Sequence, residues 1–434
     1  MNGASHDKYA KPRTEHYLWT YGSTLFILVC NLLAYRLSNQ FLGEQGFAEY
    51  AVGRRTLSYG YPILMQCLGV AITHHVAARG TDSQDSERGY FKAAAVLLGA
   101  AALLVVVPAN LCSAQVSFLF FGDVAHAALV PPISLMFVGV CTTTLAANFL
   151  LGRMEIATSS LITIGSGLTP LLALTLVGQS TAQVFAWTGI GYLLISSIAL
   201  FGQVIPRLED EPLGPGAFEV HLRRLWEYAA PRIPGALALS VLLGVPVTLT
   251  SHFGDLQVAG VIALGGTMLT VAGALVNPLA MILVPQSTRM LRTGQGEDLR
   301  RHFLVLLRWI TAVMSLGVVV GFLGLKPALT LYLGHKLAAS SNALYWMLPT
   351  VVPYAWFFGF RSILDGAHRK AVNAHNTYLA LGCLATVTVV ARWLHGPQPV
   401  LLGFLCGIWT LGLATLWRTW RVFESDVNKT EANL

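Results

Sequence analysis

Runs of about 20 apolar residues recur from Tyr17 almost to the C-terminus, each long enough to cross a hydrocarbon core roughly 30 Å thick. A chain that crosses lipid repeatedly must satisfy its backbone hydrogen bonds internally, so it has to be built from apolar helices. Charge content agrees: 11% of the 434 residues are charged, against about a quarter in a soluble chain. Little chain is left over for soluble domains.

Hydropathy places spans near 17 to 37, 48 to 78, 90 to 108, 126 to 150, 156 to 177 and 183 to 205. A second set lies near 228 to 250, 257 to 287, 301 to 324, 341 to 363, 372 to 393 and 398 to 420. The first apolar run lacks a small-residue cleavage site, so it reads as a spanning helix and not as a secretory signal. Twelve helices put both termini on one side. With the termini in the cytoplasm, about 19 of the 28 Lys and Arg fall on that side, among them Lys8, Lys11, Arg13, Arg79, Arg223, Arg224, Arg300 and Arg301. About four face the other way: Arg36, Lys326, Lys336 and Arg392. That bias sets the orientation, and it explains the net charge of +7 without nucleic acid. The six cysteines lie in or beside apolar runs with no C-x-x-C spacing, as small buried hydrophobes would.

The two sets of spans also match each other. At an offset of 211 residues Arg13 meets Arg224, Tyr17 meets Tyr228, Gly43 meets Gly254, Glu44 meets Asp255 and Thr56 meets Thr267. An even number of helices per half makes this a parallel repeat. The expected architecture is an all-α polytopic membrane protein of two six-helix lobes, residues 1–211 and 228–434. A cytoplasmic linker at 212–227 joins them. In that linker Phe218, Leu222, Leu225 and Trp226 share one helical face, which suits either a short interfacial helix or the first turn of helix 7.

The stretch "EYAVGRRTLSYGYP" sets Arg54 and Arg55 side by side inside helix 2, roughly 10 to 12 Å outward of Pro62. Snorkelling to the outer headgroups is open to both. Adjacent helical residues diverge by about 100°, however, so if one faces lipid the other faces a neighbouring helix or a cavity. A pair kept where positive charge is otherwise scarce suits an anion, most naturally a phosphate, which a guanidinium fork matches. Arg232, in "APRIPGAL", either lines a cavity or caps the inner interface. Arg361 lies near the inner end of helix 10, where it can snorkel. His74 and His75 offer groups for proton relay. Asn31, Gln66, Asn148 and Asn277 either line a polar path or bond neighbouring helices.

Helix 1 holds no carboxylate, and no phosphate-cradling loop, metal-ligand cluster or nucleophile elbow occurs in the sequence. No metal or cofactor is implied. Outer loops are too short for a catalytic domain, so an enzyme is disfavoured and a transporter expected.

The segment "FLGEQGFAEYAVGRRTLSYGYPILMQCLGVAITHHVAARG" resembles the N-terminal signature of polysaccharide flippases of the Wzx type, within the multidrug, oligosaccharidyl-lipid and polysaccharide exporter superfamily. Gly43, Gly46, Tyr50, Leu68 and Gly69 hold the positions that carry the resemblance. It implies alternating access between two lobes and, as cargo, a polyprenyl-pyrophosphate-linked oligosaccharide crossing a bacterial inner membrane. Arg54 and Arg55, faced by Arg232, would then bind the pyrophosphate. Membrane lipids and other polysaccharide assembly proteins are the implied partners, and since one chain holds both lobes a monomer suffices. Two alternatives stand beside it: an ion-coupled drug or metabolite antiporter of the same superfamily, and a membrane polysaccharide polymerase, ligase or assembly scaffold. The major facilitator signature Gly-x-x-x-Asp-Arg-x-Gly-Arg is not matched by "ARGTDSQDSERGYFK".

Overall fold

A computed structural model of the chain describes residues 14–62, 67–77, 86–208, 217–253, 256–292, 296–334, 342–367, 372–395 and 398–431. All regular structure among them is helical. In chain order the helices are α1 (Thr14–Pro62), α2 (Val70–Ala77), α3 (Glu87–Leu111), α4 (Ser113–Phe121), α5 (Val130–Gly152), α6 (Ile156–Val177), α7 (Thr181–Ala199) and α8 (Ile205–Leu208). Then follow α9 (Ala217–Ala229), α10 (Ile233–His252), α11 (Leu256–Arg292), α12 (Gly296–Leu333), α13 (Asn342–Met347), α14 (Val351–Ala367), α15 (Val372–Trp393) and α16 (Pro399–Glu431).

Ten stretches among the described residues are long and apolar enough to span a membrane. The two other expected crossings are broken helices. Residues of the first span and the start of the second run together as α1, interrupted at Gly43 with φ 71° and ψ −173°. A side chain at Gly43 would meet open space, so the backbone conformation, not crowding, calls for glycine there. The second span resumes as a π-helical turn at 67–69 and the short α2. The tenth is divided by a 3-10 turn, Leu348–Thr350, with Pro349 at its start. Linker residues 217–229 form a helix of their own, α9, closed by the 3-10 turn Ala230–Arg232 before α10 begins.

The outer surfaces of these helices are apolar. Leu104 on α3, Leu176 on α6 and Leu323 on α12 are 76%, 77% and 80% exposed, as lipid-facing positions should be. Hydroxyls within the spans bond back to their own helices: Thr188 to the Val184 carbonyl, Ser240 to Ala236 and Thr415 to Leu411. These three hydroxyls thus carry no unsatisfied group into the hydrocarbon, whereas Thr388 Oγ1 of α15 is buried without a hydrogen-bond partner.

The chain groups into two compact units. The first comprises Met1–Leu37, Leu64–Leu111 and Pro131–Ala229; the second comprises Ser38–Ile63, Cys112–Val130 and Ala230–Leu434. In the first, α5 and α7 approach closely at Gly139 and Gly189. A Cβ on Gly189 would stand 2.7 Å from the Met136 nitrogen and 2.9 Å from the Leu135 carbonyl carbon. A relay of ion pairs, Glu87 to Arg153 at 2.6 Å, Arg153 to Glu155 at 3.3 Å and Glu155 to Arg207 at 2.9 Å, ties the ends of α3, α5, α6 and α8. In the second, Phe303 of α12 packs between Phe360 of α14 and Phe423 of α16, with ring centroids 4.6 and 5.3 Å away.

Backbone atoms cannot step aside as a side-chain tip can. Gly189→Ala should therefore destabilise the protein by about 1–3 kcal/mol, seen as a lowered melting temperature in detergent. Gly99→Ala on α3, where an added Cβ meets nothing within 4 Å, should leave it unchanged or raise it slightly.

Candidate functional site

Arg54 and Arg55 both lie on the part of α1 that follows Gly43, within the second unit, and both are half-buried. Their side chains part company. Arg54 turns back along its own helix, with Nη1 donating to the Tyr50 hydroxyl at 3.5 Å and the guanidinium 5.7 Å from that ring's centre. Arg55 reaches across to α10, where Nη2 donates to the Leu243 carbonyl at 2.6 Å. Pro246 has no N–H, so the carbonyl four residues back, Leu242, next to Leu243, lacks its helical donor. The guanidinium also lies against Gly266 of α11, where an added Cβ would stand 3.3 Å from Nη1. Position 266 is the partner of position 55 at the 211-residue offset: the first half carries arginine, and the second carries the missing side chain that makes room for it.

One helical turn beyond Arg55, the Tyr59 hydroxyl meets Thr248 Oγ1 at 2.7 Å. Gly244 of α10 lies directly beneath the Tyr59 ring, with no room for a Cβ. Ser58 Oγ donates to the Arg55 carbonyl at 2.5 Å, which fixes this turn of helix. From α14, buried Tyr354 comes close enough to Arg55 and to Arg361 for both charges to act on its hydroxyl. Arg361 lies over the Phe358 ring at 4.2 Å, a cation–π contact, while its carbonyl accepts from Asn373 Nδ2 at 3.0 Å. The second unit therefore gathers two guanidiniums, two phenols and a hydroxyl from α1, α10 and α14. A guanidinium at the centre of a spanning helix costs about 2.5–3.5 kcal/mol to insert and less toward its ends, and the contacts with Leu243 and the aromatic rings offset part of that cost.

The remaining sequence candidates fall elsewhere. Arg232 is exposed at the last residue of the turn before α10, eleven residues from Leu243 and so about 16 Å away in helix rise. It does not join Arg55. Asn31 lies on the first part of α1 and, with His74, His75 and Asn148, in the first unit. Asn148 bonds helices together: its Nδ2 donates to the Thr144 carbonyl at 2.9 Å, and its own carbonyl accepts from Thr73 at 3.1 Å. His74 and His75 stack on Tyr228 and Tyr90, each with centroids 4.9 Å apart. Gln66 and the side chain of Asn277 lie outside the described residues. Tyr59, Thr248, Gly266 and Tyr354 were not singled out by the sequence. Tyr59 had a signal, being four residues from Arg55 on the same helical face.

No family model matches the sequence, and no curated protein matches it. Solved structures do resemble it. An inward-facing multidrug resistance MATE family transporter of the MOP superfamily superposes with a TM-score of 0.76 over 94% of this chain and 99% of that chain, at 12% identity. A eukaryotic MATE transporter, AtDTX14, gives 0.69 over 96% and 98% at 11% identity. A variant of the Vibrio cholerae MATE transporter VcmN gives 0.68 over 96% of each chain at 14% identity. The fold is that of the MATE transporters.

The close approach of Gly244 to Tyr59 makes a coupled pair. Tyr59→Phe should cost about 1 kcal/mol of stability through loss of the Thr248 bond. In a Gly244→Ala background, where the ring has been pushed away, the same change should cost almost nothing. Thermal melts of the four proteins in a double-mutant cycle test this.

Proposed function

We propose that the chain is a secondary transporter that moves an amphiphilic organic anion across the membrane by alternating access, coupled to an ion gradient. Two lines support this. The solved proteins that share its fold over nearly their whole length are transporters, among them an inward-facing and an outward-facing structure of a multidrug resistance MATE family transporter. The drug or metabolite antiporter reading, placed second on sequence grounds, therefore has the stronger support.

The charge of the cargo comes from the site. The observation that carries the reading is Arg55, a guanidinium at a helix crossing whose Nη2 donates to the Leu243 carbonyl, with the Tyr59–Thr248 hydroxyl pair one helical turn away. A planar guanidinium fork suits a carboxylate, sulfonate or phosphate. Phenols and aromatic faces suit the apolar body of the same molecule.

A second reading, a flippase for a polyprenyl-pyrophosphate-linked oligosaccharide in a bacterial inner membrane, is favoured by the Arg54–Arg55 pair and by the sequence pattern around Gly43 and Gly69. Its partners would be the lipid-linked glycan, surrounding lipids and polysaccharide assembly proteins, with the monomer as the working form.

Mass spectrometry of cells lacking the gene, beside the complemented strain, separates the two. An organic anion that accumulates inside and is missing from the medium is the expected result. A completed glycan accumulating on its polyprenyl carrier would establish the flippase instead. Identical metabolite and lipid profiles, with no second exporter present, would sink both.

A further inference from the structure

Two stretches from the first half of the sequence, Ser38–Ile63 and Cys112–Val130, group with the second unit, whose other residues all come from the second half. Part of what fastens them there is found at two helix ends. Helix α4 stops at Gly122 and α12 at Gly334, with φ of 80° and 88°. In each case the glycine N–H turns back to the carbonyl four residues earlier, Phe118 or Thr330, at 3.0 Å. Such a left-handed stop leaves carbonyls of the last turn pointing past the end of the helix. At α4 the Phe120 carbonyl accepts from Ser251 Oγ of α10 at 2.9 Å, and the Leu119 carbonyl accepts from His252 Nε2 at 2.9 Å. At α12 the Leu333 carbonyl accepts from Asn39 Nδ2 of α1 at 2.7 Å.

The two sets of groups correspond. Asn39 and Ser251 are 212 residues apart in the sequence, and so are Gly122 and Gly334. Each half of the chain therefore caps a helix end of the other: Asn39 closes α12, and Ser251 closes α4. Helices α10 and α12 are joined through the single long helix α11, so their C-terminal ends, and both caps with them, lie at one face of the membrane. The seat at Gly122 is also flush. A Cβ there would stand 2.8 Å from the Ser251 carbonyl carbon and 3.0 Å from His252 Cα, so glycine serves the turn and the close approach together. The Ser251 hydroxyl has one proton and a second carbonyl within reach, Thr248 of its own helix at 2.7 Å. It can leave Phe120 without stranding its donor.

We infer that Asn39 and Ser251, with Gly122 as the seat, form a paired latch that holds this face of the transporter closed and lets go when the face opens. A carrier that works by alternating access parts its two halves at one face at a time. The bonds that close a face must then join one half to the other, and they must be cheap to break. Both caps meet the first condition, and the second carbonyl open to Ser251 meets the other. Because an imidazole donates from Nε2 whether neutral or charged, the His252 bond adds to the seat at any pH. The latch rests on the alternating-access reading and not on the cargo chemistry assigned to Arg55.

Double electron–electron resonance between spin labels at exposed Val124 and Leu331 tests this. The full-length protein, with its native cysteines replaced, is measured in lipid nanodiscs without cargo. Asn39→Leu, which keeps the size but has no donor, should raise the ratio of long to short distances about fivefold, the worth of one hydrogen bond. Gly122→Ala, which crowds the Ser251 carbonyl, should raise it at least as much, and the two changes together should raise it by the product of the single factors. A distance distribution unchanged from the wild type in either single variant would overturn the latch, even if the melting temperature fell, because the contact would then be structural only. Should Gly122→Ala fail to fold, Ser251→Ala, which removes the hydroxyl and crowds nothing, takes its place with the same two outcomes. Export is not read here, so a failure of the anion assignment shows separately.

Discussion

Hydrocarbon offers no hydrogen bonds, so every charge and every break in a helical ladder inside the spans has to be met by the chain itself. That constraint explains most of what is irregular here. Threonines and serines turn back on their own helices. Gly43 takes a backbone conformation that only glycine adopts freely, so the chain bends between two helical segments without a long loop. Pro246 leaves the Leu242 carbonyl without its helical donor, and the neighbouring Leu243 carbonyl accepts from Arg55.

Two adjacent arginines in a spanning helix have different surroundings for a simple geometric reason: neighbouring side chains leave the helix about 100° apart. Arg54 is absorbed by Tyr50 of its own helix. Arg55 projects into a crossing of α1, α10 and α11, where Gly266 leaves the space that its side chain fills. At the 211-residue offset read from the sequence, a charge at one position is accommodated by glycine at its counterpart. Around it, Tyr59, Thr248 and Tyr354 supply phenol and hydroxyl groups that can bond a polar cargo and line its apolar part.

The membrane-spanning helices were legible because hydropathy over a window of about 20 residues is a property of sequence alone. Their breaks were not. Hydropathy averages across Gly43, Pro62 and Pro349, so residues 48 to 78 read as one helix although α1 ends at Pro62 and the chain resumes through a π-helical turn into α2. Arg55 was visible as a buried charge, and Tyr59 could have been read from the i, i+4 spacing. The surroundings of Tyr354 and His221 could not, because they are made by residues far apart in sequence. The linker shows the same limit. Its apolar face was read as lying on the inner membrane surface or as the first turn of helix 7; residues 217–229 form a helix of their own, in which Trp226 is exposed and His221, Leu225 and Ala229 are buried. The inward place of a polar histidine, whose ring accepts from the Ser86 N–H at 3.3 Å, is not revealed by any pattern of apolar spacing.

The claim on which the functional account rests is that Arg55 binds the anionic part of the cargo. Its most direct measurement is export of the accumulated compound by a deletion strain supplied with Arg55→Gln or Arg55→Lys protein, at matched amounts and matched melting temperatures. The account predicts that the glutamine variant loses export and that the lysine variant, which keeps the charge but not the planar fork, retains part of it. Export at the wild-type rate by the glutamine variant would contradict it.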